Sequence, residues 1–179
     1  MLRVSILFSF ILFLVSCVDL SKKNQLTELT QLSKRVDSIQ QEFELLKKDT
    51  ISEIIYSMNQ TSDKIKTNIG DDTLSLQIAG KLDSYKKVYR KLTSIEAYDE
   101  KFLFGSQDIK NSIEKLSNDI TKGNGDREKY DQFLTFERSK VIELEKLLSN
   151  VKKLQSESIE TFQKIHPAIS SFADQLSDK

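Results

Sequence analysis

Apolar residues recur at alternating spacings of three and four along most of this chain, and that rhythm leaves few folds open. Leu29, Leu32, Val36, Ile39, Phe43 and Leu46 form the first series. On a helix such spacing keeps every member on one face, the seam of a bundle or coiled coil; a strand would need alternation with period two. The stripe shifts after Thr50 and resumes at Ile51, Ile54, Met58, Ile65 and Ile69. One long helix over about 26–69 is expected, with an irregularity near 48–51. Breakers are scarce, 1 Pro and 5 Gly in 179 residues, so little interrupts helix elsewhere.

The turn signals divide the remainder. Gly70 reads as the C-cap of the first helix, with Asp72 or Thr73 as the next N-cap. A second helix over about 73–103 carries Ile78, Leu82, Tyr85, Tyr89 and Leu92. "FLFGS" at 102–106 is expected to stop it, Gly105 breaking the helix and Ser106 capping the next. Phe102 and Phe104 flank that break; stapling the bundle's tip is favoured over display to a partner. Ile109, Ile113, Leu116 and Ile120 mark a third helix, ended by "GNG" at 123–125, the strongest turn signal present. Asp126 then caps a long fourth helix with Tyr130, Phe133, Val141, Leu144, Leu148 and Val151 in register. Its stripe weakens at Gln155 and Ser158 and recovers at Phe162, Ile165, Ile169, Phe172 and Leu176. Pro167 lacks an N–H and disfavours helix at His166, which predicts a kink or break there. The fold class is all-α: an elongated antiparallel bundle of three to four helices with coiled-coil-like packing. A parallel oligomeric coiled coil ranks second, because Gly-rich turns recur between the stripes.

The first residues follow a different rule. Val4 to Val15 are apolar apart from Ser5 and Ser9, and Arg3 precedes them. A positive start and about a dozen apolar residues fit a secretory signal peptide. At ~1.5 Å per residue the run falls well short of the ~30 Å hydrocarbon thickness. It ends in Leu14-Val15-Ser16-Cys17, a tetrad that resembles the bacterial lipobox. That resemblance implies cleavage before Cys17, a diacylglyceryl group on its thiol and an acyl chain on its new amine. No other cofactor is expected. Several acyl chains hold a protein to a membrane where one does not. The expected organisation is a cleaved signal peptide over 1–16, a lipidated N-terminus and short polar tether over 17–25, and a helical bundle over 26–179. Loss of Arg3, one of 27 basic residues against 27 acidic ones, leaves the mature chain at a formal charge of −1.

Nothing in the chain assembles a catalytic set. His166 is the sole histidine and Cys17 the sole cysteine, so neither a Cys/His metal cluster nor a choice of triads arises. Carboxylates sit among lysines at helical spacing, as a solvated face requires. "GNGD" lacks the Lys-Ser/Thr of a phosphate loop. The expectation is a protein without enzymatic activity. "YKKVYRKL" at 85–92 gives the densest positive patch. Lys86, Lys87, Arg90 and Lys91 share one side of a helix and form a candidate surface for a sulfated polysaccharide or another anionic ligand. The plainer reading, a solvent-facing stripe neutralised by neighbouring acids, is favoured. No nucleic-acid partner is expected.

A lipobox, a short tether and a Lys/Ser/Ile/Leu-rich helical body together resemble the all-helical outer-surface lipoproteins of Borrelia-type spirochaetes. The resemblance implies a lipid-anchored protein of the outer membrane, displayed on the cell surface. It would bind a host macromolecule such as a complement or matrix component through a helical face. The alternative is a periplasm-facing envelope assembly protein that engages bacterial partners or itself.

Overall fold

The computed structural model describes residues 2–46, 50–70 and 74–178, with the backbone alone for 2–19, 96 and 99. Among these residues there are five α-helices and no strand: α1 Leu2–Leu46, α2 Thr50–Asn68, α3 Leu76–Glu96, α4 Tyr98–Lys122 and α5 Tyr130–Ser177. A 3-10 turn, Arg127–Lys129, precedes α5. The chain is an all-α helical bundle protein. It divides into two compact units, Met1–Gln40 with Leu103–Glu145, and Gln41–Phe102 with Lys146–Lys179.

The first unit packs α1, α4 and the start of α5. Leu29, Leu32, Val36 and Ile39 are buried from α1, Ile109, Ile113, Leu116 and Ile120 from α4, and Tyr130, Leu134, Val141 and Leu144 from α5. Lys22 bonds Thr121 while Lys110 pairs with Asp37, so α1 and α4 run antiparallel. Glu28 pairs with Arg138 and Arg35 with Glu145, each 110 residues apart, and that constant separation makes α1 and α5 parallel. Arg35 holds Glu145 with three contacts, Nε to Oε1 at 2.9 Å and Nη2 to Oε1 at 2.7 Å and to Oε2 at 2.8 Å. Exposed pairs of this kind contribute ~0–1 kcal/mol each, so they select register more than they stabilise.

The second unit repeats the arrangement with other segments. Ile51, Ile54, Met58 and Ile65 of α2, Tyr85, Val88, Leu92 and Ile95 of α3, and Leu148, Val151, Ile169 and Leu176 of α5 are buried. Thr61, 7% exposed, fills the missing position in the α2 stripe. Lys152 pairs with Glu42 and Lys64 with Asp174, again 110 residues apart. Phe102 stacks on Phe43 with ring centroids 3.9 Å apart.

Four expectations about helix ends need correction. The α3–α4 boundary falls at Ala97, whose N–H reaches Ser94 O at 3.2 Å in a single tightened turn. The "FLFGS" segment does not stop a helix: α4 runs through Gly105. Phe102, Ser106 and Ile109 are all buried at spacings of four and three, and their burial outweighs the ~1 kcal/mol that a helical glycine costs. Of the flanking aromatics Phe102 is buried as a staple, while Phe104 is 67% exposed. Ser106 therefore caps nothing, and its hydroxyl bonds Leu103 O inside the helix. The second correction concerns α3. Its N-cap is Ser75, which accepts from the Ile78 N–H at 3.3 Å; Asp72 and Thr73 lie outside the described residues. Third, α5 continues through Pro167 without a break. Fourth, Asp126 starts the 3-10 turn with no side-chain cap bond and instead pairs with Lys129 at 2.8 Å.

Other boundaries agree with the sequence. Gly70 has φ +46° at the end of α2. "GNG" closes α4 in a Schellman turn: Asn124 N–H bonds Asp119 O at 2.9 Å and Gly123 N–H bonds Ile120 O at 3.3 Å. Gly123 and Gly125 sit at φ +68° and +79°, a region that only glycine enters at little cost. The single first helix appears as α1 and α2, and residues 47–49 between them, which include half of the expected irregularity near 48–51, lie outside the described residues.

Candidate functional surfaces

Cys17 lies within the backbone of α1. The polar stretch 18–25, expected as a tether, is helical as well, and its later residues hold on to the first unit. Lys22 Nζ donates to Thr121 O at 2.8 Å and Gln25 Nε2 to Asp131 Oδ1 at 2.7 Å. The reason lies in the phase. Lys22 and Gln25 precede Leu29 by seven and four residues, so they extend the buried stripe with polar groups that find partners. Among the described residues no helix is long and apolar enough to cross a membrane.

The four cations of the expected patch are exposed on α3, while Tyr85, Val88 and Leu92 on its other side are buried. Asp83, one turn before Lys87, pairs with it at 2.7 Å. That bond, followed by the fields of Lys87, Arg90 and Lys86, holds the Asp83 carboxyl below its usual range. Neutralisation therefore comes from the same helix and reaches one cation. Lys86, Arg90 and Lys91 make no ion pair among the described residues, which leaves three charges in solvent.

Two polar clusters inside the units escaped the sequence reading. In the second unit His166 is not a helix-end residue but sits mid-helix, half-buried, and ties three helices together. Its Nδ1 lies 2.8 Å from Tyr85 Oη on α3 and its Nε2 3.2 Å from Ser57 Oγ on α2. The ring stacks on Phe162 at 4.4 Å. Burial pulls the imidazole below its ordinary value and pushes the Tyr85 phenol up to about 12, partly opposed by a hydrogen bond with Thr61. A neutral imidazole between two hydroxyls donates once and accepts once. Among the described residues no carboxylate bonds the ring, so no third member of a nucleophile-activating triad is present there. The signal was present: Phe162, His166, Ile169 and Ala173 are spaced four, three and four.

In the first unit Glu137, 6% exposed, occupies a core position on α5 between Leu134 and Val141. It accepts from Ser112 Oγ at 2.7 Å and pairs with Lys140 at 2.6 Å, while Lys140 also donates to Ser112 at 2.6 Å. The three close a ring that satisfies a buried carboxylate. A polar residue on an apolar stripe was the cue. Among the described residues no group of three His, Cys, Asp or Glu could hold a metal ion.

No protein-family model, curated protein or solved structure matches the chain.

Proposed function

We propose that the chain is a lipid-anchored bacterial cell-surface protein that acts by binding a host macromolecule through a helical face. The observation that carries this is Leu14-Val15-Ser16-Cys17 at the end of a short apolar run behind Arg3. Its apolar length suits export better than spanning, and acyl chains on Cys17 would then supply the anchor. Two kinds of surface support a binding role. Lys86, Arg90 and Lys91 are exposed on α3 and make no ion pair among the described residues. Phe133 and Phe136, 44% and 61% exposed, stand near each other on α5, where a solvated helix face needs no aromatics. No enzymatic step is assigned.

Two measurements test the reading. Cys17→Ala is expected to abolish metabolic labelling by palmitate, and persistent labelling would remove the lipobox from consideration. Protease added to intact cells is expected to digest the protein. Survival on whole cells with digestion after lysis would shift the role to the envelope-assembly alternative.

A further inference from the structure

The closed end of the first unit carries a cleft of about 350 Å³. Lys22 on α1, Lys122 at the end of α4 and Arg127 in the 3-10 turn line it, with Ser21, Thr121 and Tyr130 between them. Among the described residues no carboxylate contributes to its wall. The cations have donors to spare. Lys22 spends one N–H on Thr121 O, and Arg127 spends its Nε–H on Gly123 O at 2.9 Å. Lys122 makes no hydrogen bond or ion pair among the described residues. Asp126 is engaged by Lys129 at 2.8 Å and Asp131 by Gln25 at 2.7 Å, while Asp119 and Glu128, close by in sequence, line no part of the cleft. The position of Arg127 is built into the backbone. At Gly123 a Cβ would overlap the Arg127 guanidinium, so glycine is what lets that side chain fold back over the rim.

Three like charges around one small cleft repel each other until an anion enters. Arginine offers paired donors to a tetrahedral oxyanion and lysine offers a point charge. The volume lies at the small end of the ~300–1,000 Å³ range of ligand sites, room for a phosphate with a short ester substituent. We propose that this cleft binds a phosphate group, as a free monoester or inorganic ion or as a lipid headgroup. The headgroup source rests on the lipidation of Cys17. Lys22 follows it by five residues on one helix, ~7.5 Å along the axis, which would hold the cleft at headgroup depth. The phosphate chemistry does not depend on that anchor.

Calorimetric titration of the full-length protein with inorganic phosphate tests the cleft, using K122Q/R127Q against a charge-matched control at two exposed lysines of α5, K146Q/K153Q. Loss of two charge-assisted bonds predicts at least about a tenfold fall in affinity for K122Q/R127Q, with the control changed by less than about twofold through general electrostatics. K122Q/R127K is expected to restore part of the loss, because it returns the cation without the paired donors of arginine. A second arm compares flotation on phosphatidylcholine vesicles with and without phosphatidic acid. A cleft-dependent gain on phosphatidic acid with no binding of free phosphate assigns the headgroup source; binding in solution assigns the free one. Equal effects of the cleft and control variants, or no phosphate binding in either arm, would overturn the proposal. Palmitate labelling reads the anchor separately, so the two failures are distinguishable.

Discussion

Gly105→Ala separates a helix that runs through "FLFGS" from one that stops there. At Gly105 an added Cβ meets no heavy atom within 4 Å, and the backbone is helical from Tyr98 to Lys122. The substitution therefore removes chain entropy from the unfolded state and adds no clash, which favours the folded form by ~0.5–1 kcal/mol. For a chain of this size a kcal/mol moves the thermal midpoint by about 2–4 °C, so a rise of ~1–4 °C is expected. Denaturation followed by far-UV circular dichroism reads both midpoint and helix content. Gly123→Ala is the contrast: φ is +68° and the Cβ would strike Arg127, so a loss of ~1–3 kcal/mol is expected. A fall of about 1 kcal/mol or more for Gly105→Ala would mean that this glycine sits in the left-handed conformation of a helix end, and the continuous α4 would be wrong.

Other perturbations test the polar clusters and the exposed cations. The imidazole of His166 is depressed below 6.5 by burial, so the unfolded chain binds the proton more readily. Its stabilising effect is complete above pH ~6.5 and is lost as pH falls through the folded value; His166→Gln should flatten that dependence, and an unchanged slope in denaturation midpoints against pH would contradict it. Removing Glu137 with Ala breaks its bonds with Lys140 and Ser112, which keep only their hydrogen bonds to each other and to the Ile109 carbonyl, and should cost roughly 1–3 kcal/mol in urea unfolding; a change within ~0.5 kcal/mol would show that the ring contributes little. Neutralising Lys86, Arg90 and Lys91 should weaken retention on heparin-like polymers in low salt more than neutralising Lys87, which Asp83 already holds; equal retention across these variants would leave the patch an ordinary solvated face.

The stripes made the helical core legible before any coordinates. Every α1 position from Leu29 to Phe43 in the first series is buried, as are Ile109, Ile113, Leu116 and Ile120. Misreadings arose where local propensity met tertiary packing. Gly105 and Pro167 are weak helix residues taken alone, yet Phe102, Ser106 and Ile169 on the same faces are buried, and packing holds the helix through them. The apolar spacing puts Phe133 in the seam of α5, but Leu134 is buried there and Phe133 is exposed. A one-residue shift separates the two, and the apolar pattern alone fits either. The basic patch is visible as composition, whereas the pairing of Lys87 depends on Asp83, two residues before the stretch that carries it. The clusters around His166 and Glu137 join residues 81 and 25 apart, and no local pattern predicts which helices will supply their partners.

Intact mass of the protein purified from its native cells tests the anchor most directly. The expected species begins at Cys17 and carries a diacylglyceryl group with an additional acyl chain on the amine. An unacylated chain, or one that still contains residues 1–16, would contradict the lipid-anchored reading.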